Sequence, residues 1–138
     1  MHHIHFNYLA VFVSAVVAFG LGAVWYSPLL FAKAWVHAHG FSDAQLAEMQ
    51  KAAPRAYGIS FVLFLVMAGV LTVFIQAMDL TTVPDGIHLG LHVWLGFCVT
   101  IGLMAALYTG RRISTFAIDA GYQLVYLLIM SVMLTMWR

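Results

Sequence analysis

Residues Ala56 to Met78 read AYGISFVLFLVMAGVLTVFIQAM, with no Asp, Glu, Lys, Arg or His anywhere in the run. A hydrocarbon core of roughly 30 Å is crossed by about 20 helical residues, each rising about 1.5 Å. This stretch is therefore long enough to span a bilayer. An unpaired backbone amide in lipid costs several kcal/mol, and the run lacks the alternation of a barrel strand, so it must be a helix that bonds its own backbone.

Three further stretches qualify by the same measure: Phe6 to Tyr26, Ile87 to Tyr108 and Ala117 to Trp137. The expected fold is all-α, an integral membrane four-helix bundle in one domain over residues 1–138. Composition agrees, since 64% of the side chains are hydrophobic, 8% are charged and the mean hydropathy is +0.96. Six Lys plus Arg nearly balance five Asp plus Glu, which leaves no field to attract nucleic acid. The single cysteine, Cys98, excludes an intrachain disulfide and any multi-cysteine metal site. The first run differs from a signal peptide because no Lys or Arg precedes it and apolar sequence continues to Leu30.

Lys33, Lys51 and Arg55 lie between the first two spans, and Arg111 and Arg112 between the last two, so five of the six basic residues share a side. The positive-inside rule makes that side cytoplasmic and puts both termini outside. The first connection carries helix signals. Ser27-Pro28 reads as an N-cap and first turn, with Gly40 as a stop, predicting an interfacial helix over 28–39. Ser42 and Gln45 form a capping box opening a second short helix over 43–53, which ends before Pro54. The remaining connections are short, so spans two and three, and spans three and four, are expected to be antiparallel neighbours.

Small residues recur every four positions as Ala10, Ser14, Ala18 and Gly22 on span one, and as Cys98, Gly102, Ala106 and Gly110 on span three. Such ridges let helix backbones approach closely, within a bundle or between subunits. Trp25, Tyr26, Tyr108 and Trp137 read as belt aromatics at the water boundaries. Gly20 to Ser27 aligns with Gly102 to Thr109, and Gly58, Val62, Leu65, Met67, Leu71 and Thr72 align with Gly121, Val125, Leu128, Met130, Leu134 and Thr135. Two duplicated hairpins would be related by a pseudo-twofold axis along the membrane normal.

Chemistry-bearing side chains are few. His88 and His92 stand one helical turn apart, with Asp85 just before them and His2, His3 and His5 expected on the same side, so a divalent metal could be held there. Met1-His2-His3 also places an imidazole third from an amino terminus, an arrangement that suits Cu(II). The opposing reading makes these interfacial or end histidines without a ligand. Asp119, with Tyr122 and Gln123, is a polar site at the membrane edge. If lipid begins near Ala117, Asp119 is a first-turn residue favoured by the helix dipole and close to Arg111 and Arg112; if the fourth helix enters lipid at Ile113, Asp119 lies nearly two turns deep as a proton or cation site beside Tyr122 and Gln123. The shorter span suffices for crossing, which favours the first alternative. No nucleophile elbow, metalloprotease helix, P-loop or dinucleotide fingerprint is present, so catalysis has little to work with.

The segments Leu21-Gly22-Ala23-Val24-Trp25-Tyr26-Ser27-Pro28, Gly40-Phe41-Ser42, Ala56-Tyr57-Gly58, Trp94-Leu95-Gly96-Phe97 and Ala120-Gly121-Tyr122-Gln123-Leu124 resemble a bacterial membrane family called domain of unknown function 1761. The resemblance implies a four-span bundle and brings no activity, substrate or cofactor. That family carries an amide more often than an acid where Asp119 stands, so it implies no proton relay there, and the His-rich start is outside its pattern. The sequence thus leads to a non-enzymatic membrane protein, surrounded by lipid, that forms a homo-oligomer or joins a larger membrane complex through its ridges. A transporter or channel built from the two hairpins is the alternative. Its midplane polar groups would be chiefly Ser14, Thr100, Tyr126 and Ser131.

Overall fold

The computed structural model describes residues 3–137, and among them every regular element is helical. Helix α1 covers Tyr8–Trp25, α2 covers Ala32–His39 and α3 covers Asp43–Ala77. The third span begins as α4 (Val83–Val93), passes through a π-helical segment (Trp94–Val99) and ends as α5 (Thr100–Thr109); α6 covers Ile113–Met136. Four helices are long and apolar enough to cross a membrane. Large apolar side chains such as Leu63, Val66, Leu95 and Phe97 stand exposed on their outer faces, a surface that lipid tolerates and water does not.

Local signals set most helix ends. Ser42 Oγ accepts from the Gln45 amide at 3.2 Å while Gln45 Oε1 accepts from the Ser42 amide at 2.8 Å, the capping box read from the sequence. Gly40 stops α2 in the left-handed region, with φ of 67°. Thr82 and Asp85 form a second capping box that opens α4. Two expectations fail here. Ser27 does not cap a helix at Pro28: its hydroxyl turns back to the Val24 carbonyl at 2.6 Å, residues 28–31 form turns, and α2 starts only at Ala32. Nor does a helix end before Pro54, because α3 runs unbroken through it. Proline removes one ladder bond and crowds the carbonyl four residues earlier; Gln50 and Pro54 are both exposed, so that carbonyl can turn to the surroundings.

The fourth span is the hub of the packing. Helix α6 lies against α1, α3 and the whole third span, and it contributes Tyr126, Leu127, Met130 and Leu134 to the core that Ala10, Ala18, Ala68, Leu71 and Ile75 complete. Spans one, two and four thus form a three-helix core, with span three laid along the outer side of span four. The expected pairing of spans two and three does not form beyond marginal contact. Close spans one and four also have no counterpart in spans three and two, so the pseudo-twofold relation of the hairpins is not realised in the packing.

Glycines explain the placement of span three. A Cβ on Gly86 would come within 2.9 Å of Val132 Cα, and one on Gly90 within 3.1 Å of the Leu127 carbonyl oxygen. This Gly-x-x-x-Gly pair, rather than the ridge noted above alone, brings α4 onto the backbone of α6. Gly102 also faces α6, where its Cβ would meet the Phe116 ring at 2.8 Å. Gly90 and Gly102 are twelve positions apart, which at about 100° per residue leaves them about 120° out of line. A π turn absorbs one residue, and the remainder brings them back to within about 20°. The π segment lies between them, so both halves of the span present small residues to the same neighbour.

Candidate functional site

The ridge on α1 is consumed inside the bundle. Ala10, Ser14 and Ala18 are buried, and Gly22 is so close to Tyr122 that a Cβ there would lie 2.6 Å from the Tyr122 hydroxyl. That hydroxyl donates to the Ala18 carbonyl at 2.7 Å. On span three, Ala106 is buried, Cys98 packs half-buried against the core and Gly110 is an exposed helix stop with φ of 68°. Both ridges therefore serve packing within one chain.

Of the aromatics read as belt residues, Tyr108 is 91% exposed, whereas Trp25 and Tyr26 turn inward onto α6. Trp25 Nε1 donates to the Ile118 carbonyl at 3.1 Å, and its ring covers Gly121, whose Cβ would meet it at 3.1 Å. From the other side of α6, Trp94 Nε1 donates to the Ala120 carbonyl at 2.8 Å. Two indoles thus clamp the first half of the fourth helix. Each N–H needs a partner when taken out of water, and helix carbonyls are the acceptors within reach.

Asp119 lies within this clamped segment. Helix α6 begins at Ile113, which puts Asp119 in the second helical turn and not the first; it is half-buried, and among the described residues no salt bridge joins it to Arg111 or Arg112. The partner is Tyr26, whose hydroxyl donates to Oδ1 of Asp119 at 2.6 Å. A partly buried carboxyl group is favoured by such a donor. Asp119 Oδ2 has no partner among the described residues.

These residues border a cavity of about 680 Å³. Its walls come from the second half of α1 (Phe19, Gly22, Ala23), the start of the apolar part of α3 (Tyr57, Ser60, Phe64), and Asp119 and Tyr122 of α6. Tyr26 and the α2 residues Ala32, Trp35 and Val36 close the end nearest the basic loops. Aromatic contacts hold the walls in place: Tyr26 meets Tyr122 edge-on at 5.4 Å and Trp35 at 6.0 Å, and Phe19 meets Tyr57 at 6.0 Å. Asp119 and Tyr122 are thus brought into one site, whereas Gln123 lies outside the lining. The sequence reading missed Phe19, Trp35, Tyr57, Ser60 and Phe64; the last three share one face of α3 at i, i+3 and i+7, but no spacing in the chain links that face to Phe19 on α1 or Trp35 on α2.

At the opposite end, His88 and His92 are exposed, with ring centroids 6.4 Å apart. His92 Nδ1 lies 2.6 Å from the His88 carbonyl, and Asp85 Oδ2 accepts from the amides of Thr81 and Thr82 at 3.1 and 2.9 Å. The carboxylate is thereby committed to helix capping. Among the described residues no three His, Cys, Asp or Glu side chains gather at one point. The His5 backbone pairs instead with Gln76, and His2 lies outside the described residues.

A sequence profile of the family described as "Protein of unknown function (DUF1761)" matches residues 9–135. The chain belongs to that family. The match takes in every wall of the DUF1761 cavity, from Phe19 to Tyr122. No curated protein and no solved structure matches the chain.

Proposed function

We propose that this DUF1761 protein is a non-enzymatic binding protein of the bacterial cytoplasmic membrane that holds a small amphiphilic molecule in the chamber between α1, α2, α3 and α6. One observation carries the reading: about 680 Å³ of space, a drug-sized volume, walled by aromatic rings around one fixed carboxylate. Its position supports access from the inner leaflet, because Lys33, Lys51, Arg55, Arg111 and Arg112 all lie on the connections at that end. By the positive-inside rule that end is cytoplasmic and both termini are outside.

The lining argues against catalysis. Ser60 is its one aliphatic alcohol, neither His nor Cys lines it, and its one carboxylate, Asp119, is hydrogen-bonded by Tyr26 rather than by Ser60, so no nucleophile–base pair is assembled there. Transport through two equivalent hairpins finds no support in the unequal packing of spans one and four against spans two and three. Association with a second copy or a larger membrane complex would use the lipid-facing sides of spans two and three, since the ridges are closed within the monomer.

Native mass spectrometry of the protein released from its own membrane tests the reading. A small-molecule adduct should ride on the wild type and be weakened in Ser60→Trp, which sets an indole into the chamber and narrows it. Identical adducts on both proteins would remove the chamber as the binding site.

A further inference from the structure

The chamber's polar inventory is one-sided, and that asymmetry selects its ligand. Asp119 is the only acidic residue in the lining, and no Lys, Arg or His joins it. Lys33 and His37 border a neighbouring groove that shares Ala32 and Val36 with the chamber, and neither of them lines the chamber itself. An anionic group brought here would face an uncompensated carboxylate in a low-dielectric wall.

Six aromatic residues line the same space: Phe19, Tyr26, Trp35, Tyr57, Phe64 and Tyr122. Aromatic faces carry negative charge density and attract cations, and a cage of them is a known means of holding a quaternary ammonium. Tyr26 anchors one oxygen of Asp119 and thereby orients the side chain, while the second oxygen has no partner among the described residues. We propose that the chamber takes an organic cation: an ammonium group set against Asp119 Oδ2, carried on an apolar body that lies against the aromatic walls. The inference rests on the reading of the chamber as a binding site and specifies the charge of its occupant. The same chemistry is offered by a soluble amphiphilic amine and by the ammonium of a lipid headgroup.

The test uses the full chain in dodecyl maltoside, a neutral detergent, with labelled benzyltrimethylammonium and its uncharged carbon isostere neopentylbenzene as probes in equilibrium dialysis. The cation should bind wild type and lose about ten-fold or more in Asp119→Asn, while the isostere binds both alike. Asparagine keeps an acceptor for Tyr26, and an unchanged melting temperature will show that the variant is folded. Trp35→Leu gives a second readout, since loss of a ring should weaken the cation more than the isostere. Added phosphatidylethanolamine should displace the cation if the natural source is a lipid headgroup, and phosphatidylglycerol should not; displacement by neither points to a soluble amine. Failure of the cation to bind wild type, or equal binding to wild type and Asp119→Asn, overturns the proposal. If Ser60→Trp then abolishes binding of the isostere, the chamber survives as a site for neutral amphiphiles; if it leaves both probes unaffected, the chamber reading falls as well.

Discussion

The hydroxyl of Tyr26 donates to Asp119 at 2.6 Å and so ties the end of the first span to the start of the fourth across 93 positions of chain. The bond places a carboxylate at the rim of a mostly apolar chamber and gives it a fixed direction. Tyr26→Phe deletes the donor and leaves the ring. A hydrogen bond to a charged group contributes about 1.5–3 kcal/mol, and partial exposure lowers that to about 1 kcal/mol here. Thermal unfolding in detergent should register the loss, and an unchanged midpoint would show that the pair contributes nothing.

Glycines of the spanning helices separate into packed and open positions. Gly86→Ala puts a methyl 2.9 Å from the Val132 backbone, which cannot yield as a side-chain tip could. Overpacking of this kind costs about 1–3 kcal/mol. Gly20→Ala meets nothing within 4 Å and should be neutral or stabilise by about 0.5–1 kcal/mol through helix propensity. Equal effects of the two substitutions on unfolding would contradict the close approach of α4 to α6.

The π segment makes a prediction about length rather than chemistry. Deleting Gly96, which is exposed and where an added Cβ would meet nothing within 4 Å, lets Trp94–Val99 relax to an α-helix while Gly90 and Gly102 keep a common face; Thr100 Oγ1, which donates to the Gly96 carbonyl at 2.7 Å, also donates to that of Phe97 at 3.2 Å. The deletion should fold with little loss of stability. Inserting one alanine after Gly96 adds a further rotation of about 100° and turns Gly102 and Ala106 away from α6. Circular dichroism and thermal melting of both variants should show the insertion as the damaging one; the reverse order would refute the register argument.

Ser14 and Ser131 are fully buried, and neither hydroxyl has a hydrogen-bond partner. An unmet buried hydroxyl is a cost, so Ser14→Ala and Ser131→Ala should be neutral or stabilising by about 1 kcal/mol. A clear drop in melting temperature for either would reveal a partner for that hydroxyl.

Four spans, their order and several of their ends were legible in the amino-acid sequence. Long uncharged runs such as Ala56 to Met78 permit little else in lipid, and caps such as Ser42 with Gln45 act between near neighbours. The ridge from Ala10 to Gly22 was likewise visible as a four-residue spacing, and so was the pair Gly86 and Gly90, had the same measure been applied there. What the spacing could not show was the neighbour each ridge would meet. That Gly22 faces Tyr122, that span three lies along span four and not span two, and that Asp119 answers to Tyr26 instead of Arg111 and Arg112 are all outcomes of packing. Local sequence determines which segments must be helical, because each helix meets its own backbone bonds. Which faces meet, and hence where a chamber opens, depends on shape fit between residues far apart in the chain, and only the tertiary structure decides that.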